Sequence, residues 1–407
     1  MYDAFPAKSM AEKKLTAGKL SFGHDTYGRD VMLVLALGGG VFPKRSVDLI
    51  ADRKMILRII KRMEKENYVI PYILASTGKY VSLSAKGIKK LEEISPEAYA
   101  HFMELTKGNP VRGAHDLHDE QQIRRKLCQA ETLAFMFSLK VPCWLHQKPP
   151  LTLKDSDKVL TFADTFYYTS TDLKRIDGGS HMNKVAHTRC YGVLFSPGGI
   201  YMVYHVEKGK QQWQNFGESK MVLNVEDIIA HNFNSPQKIL VKQAIAFTNK
   251  YSALSELLLS AETSHYKEQF EFLTFDNNYE NMYCLPTNIH GKSMMFMLKQ
   301  KGHHKTILKE LFDKSFDTGK SFSVDCDAMK DGNYYLSFVE GDIARLKRFK
   351  QAMAFYEPKL FHVFCYEWQK DMLSRYFPAE VNLHLVDEAK LFKIFVERGV
   401  RSVEETI

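Results

Sequence analysis

The sequence has no long apolar segment and no paired cysteines. No uninterrupted apolar run approaches the roughly 18 residues that a membrane-spanning helix needs. The N-terminal residues also lack the uninterrupted apolar segment of a secretory signal. The six cysteines are scattered without a CxxC pair, which indicates reduced thiols rather than disulfides or a zinc site. The sequence therefore predicts a cytoplasmic protein with no membrane partner.

Nucleotide-binding and metal-binding motifs are also missing. The phosphate-binding pattern GxxxxGK[ST] does not occur, and its nearest counterpart, DTGKSF at residues 317–322, lacks the first glycine. The segment HDLHDE at residues 115–120 brings two histidines and acids together without an identifiable third ligand. That pattern favours a linker or a helix cap over a metal site. We therefore predict neither a resident metal nor a cofactor.

Basic charge is concentrated in the N-terminal quarter of the chain. The formal net charge is +8. Residues 1–100 contain 17 Lys and Arg against 11 Asp and Glu, whereas residues 101–407 contain 39 against 37. A basic quarter beside a nearly neutral remainder indicates a polyanion-binding module, and ordinary charge fluctuation is the alternative.

The segment RKMILRIIKRMEKE, residues 53–66, has the pattern of an amphipathic helix. On a helical wheel one face is apolar and carries Met55, Ile56, Ile59, Ile60 and Met63. The opposite face carries an unbroken basic line of Lys54, Arg58, Lys61 and Lys65. A solvated surface helix usually mixes charges of both signs along such a line, so the pattern indicates contact with a polyanion.

The flanking segments predict the order of a winged helix-turn-helix. A helix over 29–37 is followed by a glycine turn and a short helix over 44–51 after Pro43. The helix over 53–66 leads into strands at 68–75 and 80–83, joined by a turn at 76–79, and Ser84 caps a further helix. In that fold the third helix enters the major groove of DNA and the hairpin flanks it.

This pattern assigns residues 25–108 to a winged helix-turn-helix domain that binds double-stranded DNA, with protein docking as the alternative. The expected DNA contacts lie on the short second helix, the third helix and the tip of the hairpin. They are Lys44, Arg45, Ser46, Arg53, Lys54, Arg58, Lys61, Arg62 and Lys79. Lysines at such positions mainly contact phosphates, whereas Arg also pairs bidentately with guanine.

The remaining residues, 118–407, predict a larger α/β or mixed α+β body after a polar, turn-rich boundary near 108–118. Residues 190–196 and 200–207 read as a hairpin, and residues 240–259 read as a long amphipathic helix. Near the C-terminus, apolar strands alternate with helices. A further division of the body is predicted near 235–275.

One short motif raises an enzymatic alternative. Glu218 and Lys220 form a Glu-x-Lys pair after the hairpin, as in PD-(D/E)xK nucleases, where carboxylates bind Mg²⁺ and the lysine helps to activate water. The preceding strand lacks the aspartate that such a site needs. A degenerate restriction-endonuclease-like fold without catalysis is therefore one interpretation of the body. A nuclease that uses Mg²⁺, Glu218 and Lys220 remains the alternative.

The overall layout resembles the replication-relaxation family of conjugative plasmids and integrative elements in Gram-positive bacteria. The segments that carry the resemblance are the winged-helix pattern at 29–94, IRRKLCQAETLAFMF, TFYYTSTDLK, RCYGVLFSPGGIYMVYH and FHVFCYEWQ. The resemblance implies a sequence-selective DNA-binding protein that acts in plasmid replication, conjugative transfer or its regulation, with a chromosomal transcription regulator as an alternative. It also implies contacts with other replication or transfer proteins.

A homodimer is expected as well. A single small winged helix is usually too weak for operator-type recognition, whereas a dimer contacts two half-sites at once. The body would supply the contact between the two copies.

Overall fold

The N-terminal part of the protein combines helices with a small antiparallel sheet. The computed structural model describes residues 26–75, 78–106, 120–149, 151, 164–174, 188–207, 212–213, 215–232, 240–263, 271–272, 279–318 and 322–404. The N-terminal elements are α1 (Thr26–Leu37), β1 (Val41–Pro43), a 3-10 helix (Lys44–Leu49), α2 (Arg53–Lys65), β2 (Val69–Leu74), β3 (Gly78–Leu83), α3 (Ala85–Ile94) and α4 (Pro96–Leu105). The three strands are antiparallel in the order β1–β3–β2.

Local sequence signals account for most of these N-terminal elements. The side chain of Asp52 caps α2 by accepting a hydrogen bond from the backbone N–H of Met55, and Ser84 caps α3 in the same way. Three apolar residues of α2 are buried, namely Ile56, Ile60 and Met63. The predicted helix over 53–66 is therefore confirmed.

The short second helix differs from the prediction. It is a 3-10 helix that ends at Leu49 rather than an α-helix that reaches Ala51. Ser46 has non-helical backbone angles within it (φ −105°, ψ 16°), so the turn is irregular. Six residues after a proline are too few to propagate a regular α-helix by hydrogen bonding alone, so tertiary contacts decide the geometry.

Helix α5 (Glu120–Ser138) connects the N-terminal elements to the body. Its residues Leu127 and Ala130 pack with Val41 of β1 and Tyr80 of β3. Further along the helix, the ring of Phe135 contacts that of Phe247 in the body in a tilted arrangement, with ring centroids 4.8 Å apart. One buried cluster extends from α1 through α5 into the body, so the two parts share a core. The predicted boundary at 108–118 lies outside the described residues.

The first sheet of the body is mixed and five-stranded, in the order β10–β8–β6–β5–β4. It is antiparallel from β4 to β6 and parallel from β6 to β10. The elements of this region are β4 (Phe166–Thr169), α6 (Ser170–Lys174), β5 (Gly192–Ser196), β6 (Gly199–His205), β7 (Gln212–Trp213), α7 (Asn215–Asn232), β8 (Gln243–Thr248), α8 (Ala253–Thr263), β9 (Glu271–Phe272) and β10 (Asn281–Pro286). The predicted hairpin is confirmed as β5 and β6.

One prediction for this region is wrong. Residues 240–259 form strand β8 and the start of α8, not one long helix. Five consecutive residues of β8 are buried, and a short apolar run of this kind fits a buried strand as well as a helix. A division of the body near 235–275 would cut the first sheet, because β8 pairs with β6 before that region and with β10 after it.

The second sheet is also mixed and five-stranded, in the order β11–β12–β13–β14–β15. The C-terminal elements are α9 (Ile289–Leu298), α10 (His303–Leu311), β11 (Asp317–Thr318), β12 (Ala328–Lys330), β13 (Asn333–Ser337), α11 (Ile343–Ala352), β14 (Phe361–Cys365), α12 (Lys370–Tyr376), β15 (Asn382–Leu385) and α13 (Glu388–Glu404). Tyr283 of β10 forms an isolated β-bridge with Asp342, which lies between β13 and α11. The predicted mixed α/β body is confirmed at this level.

Among the residues that the structure describes, no helix combines the length and the apolar character required to cross a bilayer.

Candidate nucleic-acid interface

A concave groove lies between the N-terminal half of α2, the 3-10 helix and the tip of the β2–β3 hairpin. Its volume is about 650 Å³. Most of the residues that line it are cationic, and the full set is Lys44, Arg45, Arg53, Lys54, Leu57, Arg58, Lys61, Gly78 and Lys79. We call this surface the basic groove. It contains seven of the nine residues predicted to contact DNA.

Four cations of the basic groove are exposed and lack acidic partners. Lys54, Arg58 and Lys61 follow one another along one face of α2, and Lys79 lies on the hairpin. Within the described residues none of the four forms an ion pair. Unneutralised cations that converge on one concave surface repel one another and attract a polyanion.

The start of α2 adds to the positive field of the basic groove. Its first turn contains Arg53 and Lys54 and no acidic residue. A helix has a partial positive charge at its N-terminus, so cations in the first turn are locally unfavourable by a few tenths of a kcal/mol. The carboxylate of the N-cap residue Asp52 already faces this helix end, so the positive field here comes from the side chains of Arg53 and Lys54.

Three other predicted contacts have partners within the N-terminal part. The ammonium group of Lys44 lies 2.5 Å from a carboxylate oxygen of Glu64. Arg53 lies 3.6 Å from Asp48, in a pair whose two side chains are about half exposed. Arg62 pairs with Glu66 one turn later on α2 and is not part of the basic groove. Exposed pairs of this kind are weak, so Arg53 remains accessible to a stronger anion.

Ser46, which was also predicted to contact DNA, is not among the residues that line the basic groove. Its side chain is buried, and its hydroxyl donates a hydrogen bond to Oε1 of Glu131 at 2.7 Å. A phosphate cannot reach this hydroxyl without displacing the body from the 3-10 helix. Ser46 therefore connects the 3-10 helix to α5.

Arg45 lines the basic groove, but its guanidinium is engaged by two carboxylates of the body. Nη2 donates to Oε2 of Glu131 at 2.9 Å, and Nη1 donates to Oε1 of Glu207 at 2.8 Å. Glu207 also accepts a hydrogen bond from Nε of Arg124 at 2.9 Å. Sequence reasoning missed both glutamates, because Glu131 lies 86 residues and Glu207 lies 162 residues from Arg45.

Glu131 is the centre of a buried polar cluster. Its carboxylate accepts hydrogen bonds from Ser46, Arg45 and the hydroxyl of Thr287, and it lies 3.3 Å from Nε2 of His205. Burial alone would raise the pKa of Glu131, but His205 and Arg45 outweigh burial and lower it. Burial opposes a charge on His205, yet Cys128 and Glu131 raise its pKa to about 10. The cluster therefore holds an ionised carboxylate and an imidazolium.

The structure does not support the catalytic candidates. Glu218 and Lys220 lie within helix α7, whereas the nuclease pattern places this pair on a strand. Glu218 is buried and accepts hydrogen bonds from the hydroxyl groups of Thr188 and Tyr204 and from the backbone N–H of Arg189. Burial raises its pKa, despite these bonds. Lys220 lies over the ring of Phe216 instead of facing the carboxylate.

Glu218 thus has a structural role: its carboxylate accepts hydrogen bonds from residues just before β5 and from Tyr204 of β6. No group of three or more His, Cys, Asp or Glu side chains that could hold a metal ion occurs in the described part of the chain.

A scan against known protein families found no match, and searches of curated proteins and of solved structures found none either.

Proposed function

We propose that the N-terminal part is a winged helix-turn-helix that binds double-stranded DNA through the basic groove. The observation that carries the proposal is the convergence of four exposed cations, Lys54, Arg58, Lys61 and Lys79, on one concave surface. None of them forms an ion pair within the part of the chain that the structure describes. Duplex DNA carries one phosphate charge per roughly 1.7 Å of its axis, so such a surface neutralises several phosphates at once.

The order of the elements supports this proposal. The chain runs from α1 through β1 and the 3-10 helix to α2, and then through the β2–β3 hairpin. In a winged helix-turn-helix the helix before the hairpin enters the major groove, and the hairpin lies against the neighbouring backbone. Here α2 presents its basic line in that position, and the hairpin adds Lys79 at its tip.

The residues of the basic groove differ in the contacts that they would make. Arg58 can pair bidentately with O6 and N7 of guanine, so we assign it a role in reading sequence. Lys54, Lys61 and Lys79 would contact phosphates and supply affinity. Leu57, which lies among the cations, would offer an apolar contact to a thymine methyl group.

We further propose that the protein acts on a mobile genetic element, in replication, conjugative transfer or its regulation, and that it binds as a homodimer. The support is the resemblance in order and residue class described above, together with the weak binding expected of a single small module. A chromosomal transcription regulator would use the same groove. Light scattering that shows one copy per duplex would contradict the dimer.

The first experiment replaces three cations of the basic groove. The variant Lys54→Ala/Arg58→Ala/Lys61→Ala should lose most duplex binding in fluorescence anisotropy with a labelled 30-base-pair duplex. Its log-affinity should also depend less steeply on log-salt, by about 2–3 units, because three phosphate-class contacts are removed. The fold should persist, since all three side chains are exposed.

The matched control is Lys305→Ala/Lys309→Ala/Lys314→Ala, which removes three exposed lysines outside the basic groove. It should change binding little beyond the small effect of net charge. Equal losses in the two variants would show that general charge, not the groove, attracts the duplex. A docking protein that binds no DNA would show no anisotropy change with either variant or with the wild type.

A further inference from the structure

The position of Arg45 connects the basic groove with the body. Arg45 lines the groove, yet its guanidinium is held by Glu131 of α5 and by Glu207, which follows β6. Among the described residues, Arg45 is the one groove-lining residue that forms ion pairs with the body. Its side chain is 26% exposed and forms part of the wall of the basic groove.

We propose that Arg45 is shared between DNA and the body: a phosphate in the basic groove draws the guanidinium away from Glu207, which couples occupancy of the groove to the junction of α5 and β6. This inference rests on the proposed function. A phosphate oxygen can replace a carboxylate oxygen as the acceptor, because a guanidinium forms the same charge-assisted, bidentate bonds with both anions.

The two glutamates keep other donors when Arg45 leaves. Glu207 retains the Nε–H of Arg124 at 2.9 Å. Glu131 retains the hydroxyls of Ser46 and Thr287 and the nearby imidazolium of His205. Removal of one partner from a buried ion pair is costly when it leaves an uncompensated charge, and here neither carboxylate is left uncompensated. Each carboxylate therefore keeps at least one donor in either arrangement.

A backbone contact transmits the change at Arg45 to a second groove residue. Nη1 of Arg53 donates to the carbonyl oxygen of Arg45 at 2.9 Å. A shift of the 3-10 helix towards DNA would therefore move the start of α2 with it. On the body side, Glu207 and Arg124 stand at the end of β6 and near the start of α5. Arg45 thus connects the 3-10 helix and the start of α2 with the end of β6 and the start of α5.

Coupling between two sites is reciprocal. If DNA draws Arg45 away from Glu207, then Glu207 competes with DNA for Arg45 and weakens DNA binding. Glu207→Gln keeps the shape of the side chain and removes its charge. It should tighten binding of the 30-base-pair duplex roughly fivefold at about 0.1 M salt. The log-salt dependence should steepen by about one unit, because Arg45 becomes a full phosphate contact.

A double-mutant cycle distinguishes the competition from a general field effect. In an Arg45→Gln background, Glu207→Gln should change affinity less than about twofold, since the shared cation is absent. Arg45→Met, which is also uncharged, replaces Arg45→Gln if thermal unfolding shows that the latter does not fold. The control Glu280→Gln removes an acidic charge whose partner is Lys242, outside the basic groove, and should leave affinity close to that of the wild type.

Each other outcome overturns the inference. An equal gain in the two backgrounds means that Glu207 acts only through its charge. Unchanged or weaker binding by Glu207→Gln means that the carboxylate does not compete with DNA. If the wild type binds through Lys54, Arg58 and Lys61 while the cycle shows no coupling, the inference fails and the proposed function stands. If the wild type does not bind the duplex, both fail.

Discussion

The Lys and Arg side chains of the basic groove differ in whether the fold gives them an acidic partner. Lys54, Arg58 and Lys61 project from the exposed face of α2 and form no ion pair with any residue that the structure describes. Lys44 and Arg45 on the 3-10 helix pair with glutamates. A free cation contributes its full charge to a polyanion. A paired cation contributes only after it exchanges one anion for another.

The sequence could predict the free cations but not the paired ones. The spacing of basic and apolar residues along one helix determines which side chains are exposed, so Lys54, Arg58 and Lys61 could be placed from the local pattern. The burial of Ser46 depends on Glu131, which lies 85 residues away. No local pattern contains that information. A glutamate within the apolar stripe of α5 was the one signal that pointed to a buried polar contact.

At the residue scale we predict that His205 makes the folded protein less stable as the pH rises above neutral. Cys128 and Glu131 raise the pKa of His205 to about 10 against the opposing effect of burial, whereas an unfolded histidine has a pKa near 6.5. Its contribution to stability is therefore complete below about pH 6.5 and is lost as the pH rises towards 10. The variant His205→Gln should be less stable at pH 7, by about 3 kcal/mol.

The measurement is urea unfolding from pH 6 to 10. The free energy of unfolding should fall more steeply with pH in the wild type than in His205→Gln. His304, whose pKa is also raised to about 10, is present in the two proteins and so cancels in the comparison. Parallel pH profiles would show that His205 is not charged in the folded protein.

At the scale of elements, predictions succeeded where a local signal decided the structure. Helix α2 was predicted from its apolar period and α3 from its Ser84 cap, and the two elements occur as expected. Strand β8 was predicted as a helix, because a buried run of apolar residues has no distinctive period. Its identity depends on pairing with β6 and β10 on either side, which is non-local information.

Helix α5 determines how firmly the hairpin is held. Leu127 is fully buried against Val41 and Tyr80, so the sheet that carries Lys79 packs against this helix. Leu127→Ala should lower the free energy of unfolding by about 2–4 kcal/mol, because it leaves a cavity in a packed core. Leu223→Ala removes a leucine that is 54% exposed and should cost less than about 1 kcal/mol.

Urea unfolding of the two variants provides the measurement. A similar loss in the two variants would show that the contact between α5 and the sheet adds little. A large loss for Leu127→Ala alone would confirm that the N-terminal elements depend on α5, and that a fragment ending before Glu120 lacks part of its own core.

At the scale of the whole molecule, the N-terminal part and the body are joined by a shared core and a buried ionic cluster. The buried residues continue from Val31 of α1 to Phe395 of α13, and Lys292 of α9 donates to the carbonyl oxygen of Leu49. The charge pattern suggested a module that binds DNA independently of a neutral body. The structure instead shows a basic groove whose wall is partly positioned by that body.

Lysine protection in the DNA complex tests the central claim most directly. The wild-type protein would be acetylated briefly with and without the 30-base-pair duplex, and the modified lysines would be quantified by mass spectrometry. Bound DNA should protect Lys54, Lys61 and Lys79, because phosphates cover the basic groove. The exposed Lys305, Lys309 and Lys314 should react equally in the two samples. Protection of that second set alone, or equal reactivity at all six positions while DNA is bound, would contradict the assignment of the groove.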